Sequence, residues 1–182
     1  MDLAEKKLRH VNTYKGIIVD VETDIVQLQN GAVTLREVVR HPGGACVVAV
    51  DADGLTATVR QYRYPFGERL LELPAGKLEY GEEPLSAAKR ELSEETGLEA
   101  ERWIELGSLY TSPGFSTEKL YIYLALGLRQ GAAHPDPNEF LDVERLPLEE
   151  LVSRVERGEI HDAKTVVGIL RAERYLRNGS VG

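Results

Sequence analysis

Short apolar runs rich in β-branched residues fill the first forty positions: Ile17, Ile18, Val19 and Val21, then Ile25, Val26 and Leu28, then Val33, Leu35, Val38 and Val39. Asp24 and Asn30-Gly31 punctuate these runs, a pattern that predicts a meander of strands. His41-Pro42-Gly43-Gly44 then breaks the chain. The apolar run 45–50, the turn Asp51-Ala52-Asp53-Gly54 and the run Leu55 to Tyr62 read as a hairpin. Leu70 to Gly76 reads as a short strand entering a loop. From Glu83 to Thr96 the period becomes helical. Leu85, Ala88 and Leu92 form the apolar stripe, Pro84 suits the first turn, and Glu82 and Glu83 suit the positive end of the dipole. Gly97 suits the C-terminal cap. Strands are expected near 103–110 and 119–127, a polar loop over 131–138, a short strand near 140–145, and helices over 147–157 and 162–177. Strands flanked by helices in this way predict an α/β domain with a mixed sheet.

The length of 182 residues allows one ordinary domain with a small N-terminal extension, and 42% hydrophobic residues suffice for a core. A net charge of −8 argues against a general nucleic-acid binder, which needs a basic stripe to meet the phosphate backbone. An acidic protein that handles an anionic substrate must recruit cations locally, as a divalent metal or placed arginines, although the same charge also serves plain solubility. The single cysteine, Cys46, lies among alanine and valine, excludes an internal disulfide and reads as buried and inert. The N-terminal residues 1–7 carry charges with no apolar stretch behind them, so neither a signal peptide nor a membrane span is expected, and a cytoplasmic location is. His10, His41, His134 and His161 are dispersed, without zinc-ligand spacing.

The densest chemical signal is GKLEYGEEPLSAAKRELSEETGL, residues 76–98. Glu91 lies three residues before Glu94 and four before Glu95, so all three fall on one side of the helix, in its C-terminal half. Like charges so placed destabilise an isolated helix, and a divalent cation with oxygen ligands reverses that penalty. Spacing alone does not separate a metal site from a solvated acidic face.

The complete pattern does. Gly76, five residues, Glu82, seven residues, Arg90-Glu91-Leu92, one residue, Glu94-Glu95, one residue, Gly97-Leu98 resembles the Nudix box at all nine positions. Ordinary residue frequencies put a chance match on the order of one in ten million. The resemblance implies an α/β/α sandwich with a mixed sheet, here with a small N-terminal β extension over 1–43 and the catalytic domain over 44–182. It also implies Mg²⁺ (or Mn²⁺) held by Glu91, Glu95 and the carbonyl of Ala75, with Glu94 and Glu82 in support. Arg90 would orient a neighbouring glutamate through a bidentate pair, and Gly76 and Gly97 would serve backbone geometry.

Flanking residues narrow the substrate. Pro113, sixteen residues beyond Gly97, together with Gly114, Gln61-Tyr62-Arg63, Glu72-Leu73-Pro74-Ala75-Gly76 and Arg36 to Gly43, resembles the ADP-ribose pyrophosphatase branch. That likeness implies a nucleoside diphosphate substrate, with Arg63 on the phosphates or terminal ribose and Glu118 toward the metal or ribose. Arg36 would reach a neighbouring subunit's site in a homodimer with exchanged N-terminal strands. A loop carboxylate would take a proton from the attacking water, and Glu139 matches the family's loop glutamate best. Asp136 is its only acidic companion before Phe140, a thinner cluster than the family often has. Blander readings stand beside these: a Ser-Pro-Gly turn former, a solvated Arg36 and a surface Glu139. The expected activity is hydrolysis of ADP-ribose to AMP and ribose 5-phosphate. The alternatives are a broader nucleoside diphosphate sugar hydrolase and a non-catalytic Nudix-like ligand sensor, against which the intact box speaks.

Overall fold

The computed structural model describes residues 3–17, 19–131 and 140–179. The chain divides into two compact units, Met1–Gly43 with Tyr110–Lys119, and Gly44–Leu109 with Leu120–Gly182.

The first unit carries an antiparallel sheet of three strands in the order β1-β2-β3, with β1 at Lys6–Lys15, β2 at Asp20–Gln27 and β3 at Val33–Arg40. A meander is therefore present, and its third run is β3 as expected, but the first two strands differ from those expected. β1 lies upstream of the apolar runs, where Leu8 and Val11 are both exposed and no alternation marks a buried face. Ile17 falls in the connection that follows, closed by the Gly16 amide donating to the Val19 carbonyl at 2.9 Å. Asp24, read as punctuation, sits in the middle of β2 and is only 7% exposed. Lys7 Nζ stands 2.7 Å from its Oδ1, and His10 Nδ1 donates to the same atom at 3.0 Å. Both partners come from β1, and their pairing satisfies a carboxylate that local rules assign to a turn.

In the second unit, β4 is Gly44–Ala49, β5 Leu55–Arg63, β6 Glu68–Glu72 and β7 Ala75–Lys77, followed by α1 at Pro84–Thr96. β8 is Leu98–Tyr110, β9 Lys119–Gln130 and β10 Leu141–Pro147, and the helices α2 and α3 are Leu148–Glu156 and Ala163–Arg177. All six residues of β4 are buried, so the strand is covered on both faces. It runs antiparallel to β7 and parallel to β9 within the four-stranded sheet β7-β4-β9-β8, which is mixed as expected.

Alternate residues of β4 serve two cores. Ala45, Val47 and Ala49 pack with Ala87, Ala88 and Leu92 of α1. Cys46 and Val48, with Val50 just beyond the strand, pack with Leu73, Ile122, Leu124 and Ala172 of α3. A helix thus covers each face of the sheet, and this unit is the α/β/α sandwich. Each fully buried leucine such as Leu92 contributes about 1.5–3 kcal/mol.

The expected hairpin of 45–50 with 55–62 shrinks to a single antiparallel bridge, Val50 with Thr56. Beyond it the strands part, and β5 pairs with β6 and β10 in a separate antiparallel sheet. Both neighbours of β4 are already taken by β7 and β9, so β5 has no edge left to join. Among the described residues, no helix is long and apolar enough to cross a membrane.

Candidate active site

The site is built where α1 lies against β7. Helix α1 opens on Pro84 and closes at Gly97, whose φ of 68° is the left-handed cap that glycine adopts without a Cβ penalty. Its buried face includes Ala87, Ala88, Leu92, Glu91 and Glu95. The two glutamates are 7% and 6% exposed, so the solvated-face reading fails for them. Glu94 points more outward, with a side chain 40% exposed.

The two inward carboxylates meet neighbouring residues of β7. The Ala75 amide donates to Glu95 Oε2 at 3.1 Å. A Cβ on Gly76 would stand 1.9 Å from Glu91 Oε1, so the Glu91 carboxylate occupies the space that only a glycine leaves open. Gly76 is therefore required for close approach and not for a positive φ.

Arg90 is the hub of the remaining acids. Its Nε and Nη2 each donate to Glu82 at 3.0 Å, a bidentate pair. Nη1 donates to Glu91 Oε1 at 2.7 Å and to Glu94 Oε2 at 3.0 Å, and Nη2 also reaches the Lys77 carbonyl at 3.1 Å. Hydrogen bonding to Glu82, then to Glu91 and Glu94, holds the Arg90 pKa far above its ordinary value against the opposing effect of burial. The same bond from Arg90, joined by the Glu79 amide, holds Glu82 below the usual carboxylate range. One guanidinium thus fixes three of the box carboxylates before any ligand arrives.

These residues fit a hard divalent cation. Glu91 and Glu95 offer oxygen donors from buried positions on one helix face, beside the backbone of Ala75 and Gly76, and magnesium prefers a few such oxygens with the rest of its shell in water and phosphate. The carboxylates also sit in the C-terminal half of α1, where the helix dipole does not favour negative charge, so a cation has the more to neutralise.

Other expected site residues fall as follows. Arg63, at the end of β5, donates from Nε and Nη2 to Glu72 at 2.6 and 2.7 Å. Hydrogen bonding to Glu72 comes first among the influences that raise its pKa, and the charges of Asp162 and Glu95 add to it. In the first unit, Arg36 of β3 donates from Nε and Nη2 to Glu5 at 3.0 and 2.6 Å. Pro113 and Gly114 form the turn in which the Phe115 and Ser116 amides donate to the Ser112 carbonyl. Glu118 accepts from Thr111 Oγ1 at 2.6 Å. Beside it His41 Nδ1 accepts from the Gly43 amide at 3.1 Å and lies 3.6 Å from Glu118 Oε1. Glu139 and Asp136 lie outside the described residues.

Sequence reasoning missed Lys164, which meets Glu72 from the start of α3, and Asp162, which meets Lys164. The available signal was Asp162-Ala163-Lys164-Thr165, a helix N-cap in which Asp162 accepts from the Thr165 amide.

Residues 40–167 match the model of the NUDIX domain, and the chain belongs to the Nudix family. It is 41% identical over 167 residues to the methanol dehydrogenase activator of Bacillus methanolicus, covering 91% of this chain and 90% of that one. It is 40% identical over 169 residues to the ADP-ribose pyrophosphatase of Bacillus subtilis (strain 168), covering 92% and 91%. A crystal structure of an ADP compounds hydrolase superposes with a TM-score of 0.86 over 98% of this chain and 97% of that one, at 24% identity, a likeness of fold.

Proposed function

We propose that the protein hydrolyses the pyrophosphate bond of ADP-ribose to AMP and ribose 5-phosphate with the aid of Mg²⁺, for which Mn²⁺ can stand in. The observation that carries this is the pair of buried carboxylates, Glu91 and Glu95, laid against Ala75 and Gly76 and braced by Arg90. The ADP-ribose pyrophosphatase of B. subtilis, alike over nine-tenths of both chains, supports the choice of substrate. A bound divalent ion supplies charge neutralisation at the diphosphate and a water of lowered pKa.

The chain's own contribution is placement. Glu91, Glu95 and the Ala75 carbonyl are assigned to the metal, and Arg90 holds Glu82 and Glu94 in register with them. Substrate contacts are assigned to Arg63, Arg36, Glu118, Pro113 and Gly114, and the proton of the attacking water to Glu139. Residues 1–43 are assigned to a strand exchange within a homodimer, residues 44–182 to the catalytic domain, and the cytoplasm is the proposed location.

The test is AMP release from ADP-ribose, with Mg²⁺ and with EDTA, beside ADP-glucose, UDP-glucose, NADH and a diadenosine polyphosphate. Metal-dependent cleavage with the highest kcat/KM on ADP-ribose is the expected result. Equal or faster cleavage of the sugar nucleotides transfers the function to a broader hydrolase, and no cleavage by folded protein overturns the enzymatic reading.

A further inference from the structure

We infer that Lys164 is a positioning residue for substrate binding, acting through Glu72 to hold the Arg63 guanidinium with one nitrogen left for an anionic oxygen of the diphosphate. This deepens the proposed function and rests on it for the identity of the anion.

Four charged groups form a chain whose two middle members are buried. Asp162 caps α3, its Oδ2 accepting from the Thr165 amide at 3.0 Å and from Thr165 Oγ1 at 2.6 Å. Its Oδ1 lies 3.0 Å from Lys164 Nζ. Lys164 Nζ donates in turn to Glu72 Oε2, and both oxygens of Glu72 receive the fork of Arg63. Two positive and two negative charges balance.

The middle of this chain is the most buried: the Glu72 and Lys164 side chains are 2% and 10% exposed, against 19% for Asp162 and 39% for Arg63. Burial pushes the Lys164 pKa down, but the charges of Asp162 and Glu72 outweigh it and keep the ammonium charged. Burial likewise pushes Glu72 up, and its bonds to Arg63 and Lys164 hold it below the usual carboxylate range.

The backbone ties this chain to the metal carboxylates. The Leu73 amide donates to Thr165 Oγ1 at 2.9 Å, which pins the residue following Glu72 to the first turn of α3. Two residues further on is Ala75, whose amide holds Glu95. The charge of Glu95 is felt at Arg63.

Lys164 is shared between Asp162 and Glu72, so Arg63 completes the neutralisation of the buried Glu72. Arg63 is a second cation, reached from β5 and half in solvent, and its Nη1 makes no hydrogen bond among the described residues. An arginine whose fork is already bound has less rotamer freedom to lose when a phosphate arrives, and this preorganisation appears as affinity. Lys164 fixes the orientation of the carboxylate that receives that fork. Without it Glu72 can turn or take up a proton, and Arg63 loses its aim.

The experiment is a double-mutant cycle of Lys164→Met and Arg63→Ala, read in KM and kcat, with a thermal melt of each variant. KM is measured on whichever compound of the substrate panel the wild type cleaves best, so an error in the choice of ADP-ribose is seen separately, in the wild type's preference. If the wild type binds ADP-ribose without cleaving it, the catalytic reading fails and the cycle is read in Kd. Lys164→Met is expected to raise KM about tenfold with kcat changed by less than about threefold, and the double variant to be no worse than Arg63→Ala alone. Multiplying effects, or a loss confined to kcat, would overturn the inference. Should Lys164→Met fail to fold, Asp162→Asn keeps a capping oxygen while removing the negative charge that faces Lys164, and it carries the same cycle with the same two outcomes.

Discussion

Glu95→Gln should lower kcat on ADP-ribose by about a thousandfold, the loss of roughly 4 kcal/mol of transition-state stabilisation, while leaving the fold in place. The amide is nearly isosteric, and its oxygen can still accept from the Ala75 amide 3.1 Å away, so the packing of α1 on β7 has no reason to change. What disappears is the negative charge. A neutral amide is a poor ligand for a hard cation, and the buried position of Glu95 leaves little room for another side chain to replace it. The measurement is kcat across a Mg²⁺ titration, with a thermal melt as control. A variant that turns over at the wild-type rate and metal dependence removes Glu95 from the metal site.

Gly76→Ala should separate activity from stability. The added methyl would lie 1.9 Å from Glu91 Oε1 and 2.5 Å from Oε2, so the carboxylate must move. Because the collision is with the tip of a side chain and Gly76 has no positive φ, the backbone can accept the alanine, and the stability cost should stay near about 1 kcal/mol. Displacing a metal carboxylate by an ångström or more should cost about a hundredfold in kcat/KM. Its Arg90 bond would be lost with it, leaving that guanidinium to Glu82 and Glu94. An active Gly76→Ala enzyme would mean that Glu91 does its work from elsewhere. A variant that fails to fold would mean that this glycine serves the scaffold.

The residues that made the site legible are local ones. Glu91, Glu94 and Glu95 share a helix side because of spacing alone, and the resemblance to the Nudix box implied that Arg90 orients a neighbouring glutamate. Gly97 was legible as a cap for a similar reason. Whatever depends on a distant partner was hidden. Asp24 looked like a turn because the side chains that neutralise it, Lys7 and His10, come from another strand. The hairpin of β4 and β5 failed because apolar runs on either side of a tight turn do not reveal that β7 and β9 compete for the edges of β4. Strand β1 has no apolar face to betray it. Glu72 read as part of a short strand, with no sign that Lys164, ninety-two residues away, would meet it in the interior.

Strand β4, covered on both faces, also governs the protein's reactivity toward thiol reagents. Cys46 is the single cysteine of the chain, is fully buried, and has its thiol pushed up to about 12 by burial. Almost no thiolate forms at neutral pH and no reagent reaches it, so maleimide should leave the native protein unmodified until it unfolds, which mass spectrometry would register. A lone reporter cysteine introduced at an exposed position such as Arg102 would then take a fluorophore or spin label by itself, on an otherwise unaltered chain.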